Sequence, residues 1–105
     1  MNLLNRPERE IKKEIIKYLR LRGHLVIPYR TIGIRKKEGG FIPAPMLGVS
    51  DLLGLTKDGK FFAIEVKRKG EGPSIPQKAF LQAVKQFNGI AITASSIDEV
   101  MASGL

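Results

Sequence analysis

The sequence contains no cysteine, no tryptophan and a single histidine, His24. The absence of cysteine excludes a disulfide framework and any thiolate metal site, and one histidine is too few for a histidine-based metal centre. Carboxylates are the remaining side chains that bind metal ions, and they favour hard cations such as Mg²⁺ or Mn²⁺. Any metal site in this chain is therefore expected to be built from Asp and Glu, and no small-molecule cofactor is expected.

Long apolar runs are also missing. No stretch approaches the roughly 18–20 consecutive apolar residues that span a bilayer, and charges begin at Arg6, unlike the pattern of a secretory signal. The hydrophobic content of 43% is typical of a globular protein. With 105 residues, the chain is expected to form a single domain over residues 1–105. We expect it to act in the cytoplasm, or in the host cytoplasm if it is viral, without a membrane partner.

Acidic residues are few compared with basic ones. Eighteen Lys and Arg against ten Asp and Glu give a net charge of +8. Residues 1–40 alone hold eleven basic and four acidic residues, so the excess is concentrated there. Such an excess predicts a polyanionic partner, of which nucleic acid is the commonest soluble example. The alternative is an ordinary solvated helix face.

The first half of the chain is predicted to form one helix and several extended segments. Apolar residues at spacings of three and four predict a helix over residues 7–22. Residues 24–30 resemble a strand, and Pro28 within them indicates an edge position or a bulge. Residues 31–47 mix glycine, proline and charge, which predicts a long excursion with a possible hairpin through residues 37–40.

The second half predicts an α/β arrangement with a mixed sheet. Residues 52–56 and 61–67 form a hairpin pattern, which gives a three-stranded antiparallel region with the preceding strand. A capping box of Ser74 and Gln77 starts a second helix that runs to about Phe87. Residues 89–93 then form a strand parallel to the second hairpin strand, because strand, helix and strand make a right-handed crossover. A short helix begins after Ser96.

The second helix is predicted to pack on the sheet through one apolar side. The residues on that side, taken from helical spacing, are Ile75, Ala79, Phe80, Ala83, Val84 and Phe87.

Three charged residues interrupt the otherwise apolar hairpin: Asp51, Glu65 and Lys67. Their relative position depends on the turn. A two-residue loop at residues 58–59 would place Asp51 on the opposite face from Glu65. A three-residue loop at residues 57–59, with its glycine left-handed, would place Asp51 directly across from Glu65 on the same face. We predict the three-residue loop.

Two carboxylates facing each other across a hairpin destabilise the sheet unless positive charge lies between them. A divalent cation meets that need, and Lys67, on the same face as Glu65, neutralises only one charge. Glu8 shares the core-facing stripe of the first helix with Ile11 and Ile15, so it is expected to point at the same place. The alternatives are a surface ion pair of Glu65 with Lys67, and a Glu8 that interacts with its own helix N-terminus.

The order and spacing of these residues resemble the PD-(D/E)XK nuclease superfamily. The relevant segments are GVSD at residues 48–51, IEVK at residues 64–67, the helix-opening Gln77 and the upstream Glu8. Within the superfamily, the closest likeness is to small phage-type VRR-NUC (viral-type replication and repair nuclease) domains. One departure is that valine and serine precede Asp51, where glycine and proline are usual.

The resemblance implies a restriction-endonuclease-like core and an endodeoxyribonuclease that requires Mg²⁺ or Mn²⁺. Asp51, Glu65 and the backbone carbonyl of Val66 would hold the metal. Lys67 would position the attacking water or help to deprotonate it. Glu8 and Gln77 would support the metal or its water shell, and Glu8 is a possible further ligand.

The resemblance also implies branched DNA, such as Holliday junctions, as substrate and a symmetric homodimer as the active form. The residues expected to contact phosphates are Lys12, Lys13, Arg30, Arg35, Lys36, Lys37, Arg68 and Lys69. Two alternatives remain open: a non-catalytic nucleic-acid-binding module, and a nuclease subunit that needs a larger partner.

Overall fold

In a computed structural model of the protein, the structure is described for residues 6–29, 34–35, 39, 41–42 and 48–105. The elements in chain order are α1 (Glu8–Leu21), β1 (Leu25–Pro28), β2 (Ile34–Arg35), β3 (Phe41–Ile42), β4 (Leu52–Leu55), β5 (Phe61–Val66), α2 (Ile75–Gln86), β6 (Ile90–Ala94) and α3 (Ile97–Ala102). No helix within the described ranges is long and apolar enough to cross a membrane.

Four of the strands form a mixed sheet in the order β1-β4-β5-β6. β1, β4 and β5 are antiparallel, whereas β6 runs parallel to β5 after the crossover through α2. This confirms the predicted mixed sheet, and Pro28 lies on an edge strand as predicted. β2 and β3 form a separate antiparallel pair, which confirms the hairpin predicted within residues 31–47.

Helices cover both faces of this sheet. On one face, α1 packs against β1 and β5, and α3 packs against β6 and α1. The buried side chains of this layer are Ile11, Ile15, Leu19, Val26, Leu52, Phe62, Ile64, Val66, Ala94, Val100 and Leu105. On the other face, α2 places Leu81 and Val84 against Ala63 and Ala91. Burial of each large aliphatic side chain contributes about 1.5–3 kcal/mol. β5 is thus covered on both sides, and charged groups on it are removed from water.

The turn between β4 and β5 sets the register of the hairpin. The backbone N–H of Thr56 donates to the carbonyl of Lys60, and the N–H of Gly59 donates back to the carbonyl of Thr56, both at 2.8 Å. Gly59 has a φ of +84°, in the left-handed region that the predicted loop requires. The three-residue loop is therefore confirmed. Leu52 pairs with Ile64, so in the same register the next residues along, Asp51 and Glu65, lie opposite each other.

The prediction for the apolar side of α2 is partly wrong. Ile75 is 83% exposed and Phe87 is 85% exposed, whereas Leu81 and Val84 are buried. The helix is rotated relative to the prediction, so that Gln77, four residues before Leu81, also turns toward the sheet and reaches Glu65. The packed side of α2 therefore includes a polar residue that apolar spacing does not identify.

Candidate active site

Asp51 and Glu65 come together at the end of the β4–β5 hairpin. Asp51 immediately precedes β4 and Glu65 is the penultimate residue of β5. Asp51 is 6% exposed and Glu65 is 2% exposed. The Asp51 charge acts directly on the Glu65 carboxyl group. A buried acid pair is costly without a compensating positive charge or a shared proton, so this arrangement indicates a functional site.

Asp51 is fixed by two contacts from different elements. Its Oδ2 accepts a hydrogen bond from the backbone N–H of Val66 at 2.9 Å. Its Oδ1 lies 3.6 Å from the Lys12 ammonium of α1. Because the N–H and C=O of a strand residue point to the same side, the Val66 carbonyl also faces the edge that Asp51 occupies. Two carboxylates and one carbonyl therefore border the same space.

Glu65 has one satisfied and one unsatisfied oxygen. Its Oε1 accepts a hydrogen bond from Gln77 Nε2 at 3.0 Å and lies 3.8 Å from the Lys67 ammonium. Its Oε2 is buried and has no hydrogen-bond partner. A buried carboxylate oxygen without a partner costs free energy unless a ligand or ion satisfies it. This oxygen is the clearest sign of an expected ligand.

The surroundings of Glu65 disfavour its charged form. Burial raises the pKa of Glu65 to about 8, and the neighbouring Asp51 carboxylate acts in the same direction. Lys67 opposes this rise in pKa, whereas the Glu8 charge adds to it. At neutral pH, without a cation, Glu65 therefore favours its protonated form.

Glu8 lies in the first turn of α1 and is half-buried. Its charge acts on Glu65, which places it on the same side of the molecule as the acid pair. However, no three Asp, Glu, His or Cys side chains gather closely enough to form a metal-binding cluster within the described residues. The structure thus joins Asp51 and Glu65 and leaves Glu8 outside their immediate contact.

The start of α2 is attached to the acid pair through Gln77. The Gln77 Oε1 accepts from the Ser74 N–H at 2.7 Å in the predicted capping box, while its Nε2 donates to Glu65. Gly48 lies beside this first turn with a φ of +83°, and a Cβ placed there would be 2.5 Å from the Pro76 carbonyl oxygen. The segment leading to Asp51 and the start of α2 are therefore packed backbone to backbone.

These donors fit a hard divalent cation. Asp51, Glu65 and the Val66 carbonyl supply only oxygen atoms, which Mg²⁺ and Mn²⁺ prefer. The partnerless Glu65 Oε2 supplies an atom that such an ion would satisfy. The charge of the ion would also replace the proton that Glu65 holds. The ligands that the family resemblance implies, Asp51, Glu65 and the Val66 carbonyl, therefore fit the structure, and their role stays a prediction.

The expected phosphate-contacting residues have different surroundings. Lys13 and Lys69 are exposed, while Arg68 is half-buried with its Nε 3.8 Å from Glu71 Oε1. Arg30, Lys36, Lys37 and the Arg35 side chain lie outside the described residues.

Lys12 has its ammonium 3.6 Å from Asp51 Oδ1, a contact that the sequence did not predict, and its role as a phosphate contact stays a prediction. Lys12 follows Glu8 by one helical turn and so lies at the edge of the core-facing stripe of α1. That i, i+4 spacing places Lys12 near Glu8, but its contact with Asp51 depends on how α1 packs.

A mixed sheet layered between helices, with an acid pair and a lysine at the ends of its two central strands, defines an α/β protein. A solved structure described as a VRR_NUC domain has a similar fold, with a TM-score of 0.68 and 18% identity over 90% of this chain and 90% of that chain. The protein has the fold of that domain, which confirms the fold prediction. No family model matches the sequence, and no curated protein matches it.

Proposed function

We propose that the protein is a divalent-metal-dependent endodeoxyribonuclease that hydrolyses phosphodiester bonds. The observation that carries this proposal is the buried Asp51–Glu65 pair, which has a partnerless oxygen at Glu65 Oε2 and an ammonium beside it at Lys67. A module that only binds nucleic acid gains nothing from burying two carboxylates beside a polyanion. The net charge of +8 and the VRR_NUC fold favour DNA as the substrate.

In this proposal, Asp51, Glu65 and the Val66 carbonyl would hold Mg²⁺ or Mn²⁺. The bound ion would stabilise the charge that develops on the phosphate and lower the pKa of a water molecule. Gln77 keeps Glu65 in place by donating to Oε1, which leaves Oε2 available. The Val66 N–H holds Asp51 in the same way. Both carboxylates are therefore oriented before any ligand arrives.

Lys67 would act on the attacking water. Its ammonium is partly exposed and lies 3.8 Å from Glu65, so it borders the site from the solvent side. It would position the water, or accept its proton when neutral. The water oxygen forms the new bond to phosphorus, the bond to the leaving oxygen breaks, and that oxygen takes up a proton. Glu8 would support the water shell, since its charge reaches Glu65.

We further propose branched DNA, such as a four-way junction, as substrate and a homodimer as the active form. The chain has one such acid pair within its described residues. Symmetric cleavage of two strands therefore needs two copies related by a twofold axis. Contacts to backbone phosphates would select the shape of the DNA rather than its base sequence.

The test is cleavage of labelled duplex, single-stranded, flap and four-way-junction DNA with Mg²⁺, Mn²⁺ or EDTA. Asp51→Asn, Glu65→Gln and Lys67→Ala are each expected to lower the cleavage rate by at least about 100-fold. Asp58→Asn is the matched control, because Asp58 is an exposed acid in the β4–β5 turn, and it should cut like the wild type.

Equal cleavage by the wild type and all three site variants would attribute any activity to a contaminant and refute the site. Binding without cleavage of any substrate, with either metal, would favour the non-catalytic binding module. Cleavage that appears only after a larger protein is added would favour the nuclease subunit that depends on a partner.

A further inference from the structure

The exposed side of α1 carries a row of basic side chains that the acid pair does not use. Arg9, Lys13, Lys17 and Arg20 follow each other at intervals of four, four and three residues, so they lie on one face of the helix. All four are exposed. We call them the α1 basic row, and none of them forms an ion pair within the described part of the chain.

The acids of α1 do not neutralise the α1 basic row. Glu10 precedes Lys13 and Glu14 precedes Lys17 by three residues, a spacing at which helical ion pairs commonly form. Neither pair is formed, and Glu14 instead contacts Arg6. The row therefore remains available to an anionic partner.

Lys12 lies between the α1 basic row and the candidate site. It is next to Lys13 in the chain, and its ammonium is 3.6 Å from Asp51 Oδ1. The row itself faces solvent, away from the core-facing stripe that Lys12 borders. From Arg9 to Arg20 the row extends about 17 Å along the helix. That length corresponds to about five nucleotides of one strand at about 3.4 Å each.

We infer that the α1 basic row binds the phosphate backbone of one nucleic-acid strand on the solvent side of α1. That this strand belongs to a substrate rests on the proposed function. A lipid surface fits less well, because the apolar side of α1 is already buried in the core through Ile11, Ile15 and Leu19. The exposed side of α1 therefore carries positive charge but no apolar surface that could insert into a membrane. Such a surface suits the phosphate backbone of a nucleic-acid strand.

The test compares two double variants that lose the same charge. Lys17→Gln with Arg20→Gln removes half of the row, and Lys60→Gln with Lys85→Gln removes two exposed lysines elsewhere. Binding of fluorescent duplex DNA is measured in EDTA over a series of NaCl concentrations. The row variant should reduce the slope of log K against log salt by about 1.8, or about 0.9 for each lost phosphate contact. The control variant should keep the wild-type slope.

Equal slopes for the wild type and the row variant would overturn the inference. An equal loss in both variants would do the same, because it would reflect net charge alone. Since EDTA prevents metal-dependent cutting, the result is independent of catalysis. If the row variant has a reduced slope but the wild type cuts no DNA, the inference about the row is supported and the proposed nuclease activity is refuted. If the slope is unchanged but the wild type cuts DNA, the nuclease is supported and the inference about the row is refuted. Circular dichroism of both variants checks that they fold.

Discussion

The Asp51–Glu65 pair makes the stability of the protein depend on pH in an unusual direction. The pKa of Glu65 rises from 4.5 to about 8 on folding, chiefly through burial. Between those two pH values the unfolded chain has released a proton that the folded protein keeps, so this group lowers stability as the pH rises. Its favourable contribution is complete below the unfolded pKa and is lost by the time the pH passes the folded value.

We therefore expect the melting temperature of the wild type in EDTA to fall, relative to Glu65→Gln, as the pH rises from about 5 to 8, and then to level off. Each kcal/mol lost lowers the melting temperature by about 4–8 °C in a domain of this size. Thermal melts of both proteins across this range give the difference between their melting temperatures at each pH. Titrating groups that the two proteins share contribute equally to both, so they cancel in this difference. Parallel curves would contradict the raised pKa of Glu65.

Individual residues of the site were predictable where local rules fix them. The strand alternation of β5 and the turn chemistry at Gly59 were enough to place Glu65 across from Asp51. Lys12 was not placed at the site, because its contact with Asp51 depends on how α1 lies against the sheet. The partnerless oxygen of Glu65 was also beyond prediction, since it depends on which groups happen to surround the carboxylate.

Among the elements, the segment before β4 and the start of α2 are coupled through Gly48. Gly48→Ala adds a Cβ 2.5 Å from the Pro76 carbonyl oxygen, whereas Gly70→Ala has a similar φ of +88° with open space around the new atom. The Gly70 variant therefore measures the cost of the left-handed backbone alone, about 1–2 kcal/mol. Gly48→Ala should cost about 1–3 kcal/mol more because of the clash. Urea unfolding of both variants checks this, and equal losses would exclude the close contact.

Gln77 serves both the α2 cap and the acid pair, and two substitutions separate these roles. Ser74→Ala removes the cap and should cost about 1 kcal/mol of stability with little effect on cleavage. Gln77→Glu keeps a capping carboxylate but replaces the donor to Glu65 with a charge of the same sign as Glu65. It should lower DNA cleavage far more than Ser74→Ala does. Unfolding curves and cleavage rates measured on both variants would reject this division if activity followed stability alone.

The packed side of α2 shows what element-level patterns miss. Helical spacing identified an amphipathic helix and its start at Ser74, both of which are confirmed. It did not identify the packed side, because Ile75 and Phe87 are apolar yet exposed while Gln77 is polar yet turned inward. Hydrophobicity alone does not predict that a polar side chain such as Gln77 turns inward when a buried group such as Glu65 accepts its hydrogen bond. The packed side of α2 therefore combines apolar contacts of Leu81 and Val84 with the polar contact of Gln77.

For the whole molecule, the net charge of +8 affects self-association and DNA binding in opposite ways. Two copies of the chain repel each other, and salt screens that repulsion, so the proposed homodimer should strengthen as salt rises. DNA binding should weaken over the same range because fewer counterions are released. Sedimentation equilibrium and DNA titrations at matched salt concentrations measure the two trends. A monomer at every salt concentration, with and without junction DNA, would refute the proposed dimer.

The turn at residues 57–59 has a consequence for changes in chain length. It lies roughly 17 Å from the acid pair, at about 3.3 Å per strand residue, and it contributes no group to the site. Deleting one residue there leaves too few residues for the three-residue loop, and rebuilding that loop with Thr56 or Lys60 would shift the pairing by one position and turn Asp51 to the opposite face from Glu65. Substitutions of the exposed Lys57 and Asp58 should be tolerated, whereas Gly59, with its φ of +84°, and the length of the loop should be sensitive to change. A surface loop thus acts as a spacer whose length, rather than its chemistry, determines whether the two acids meet.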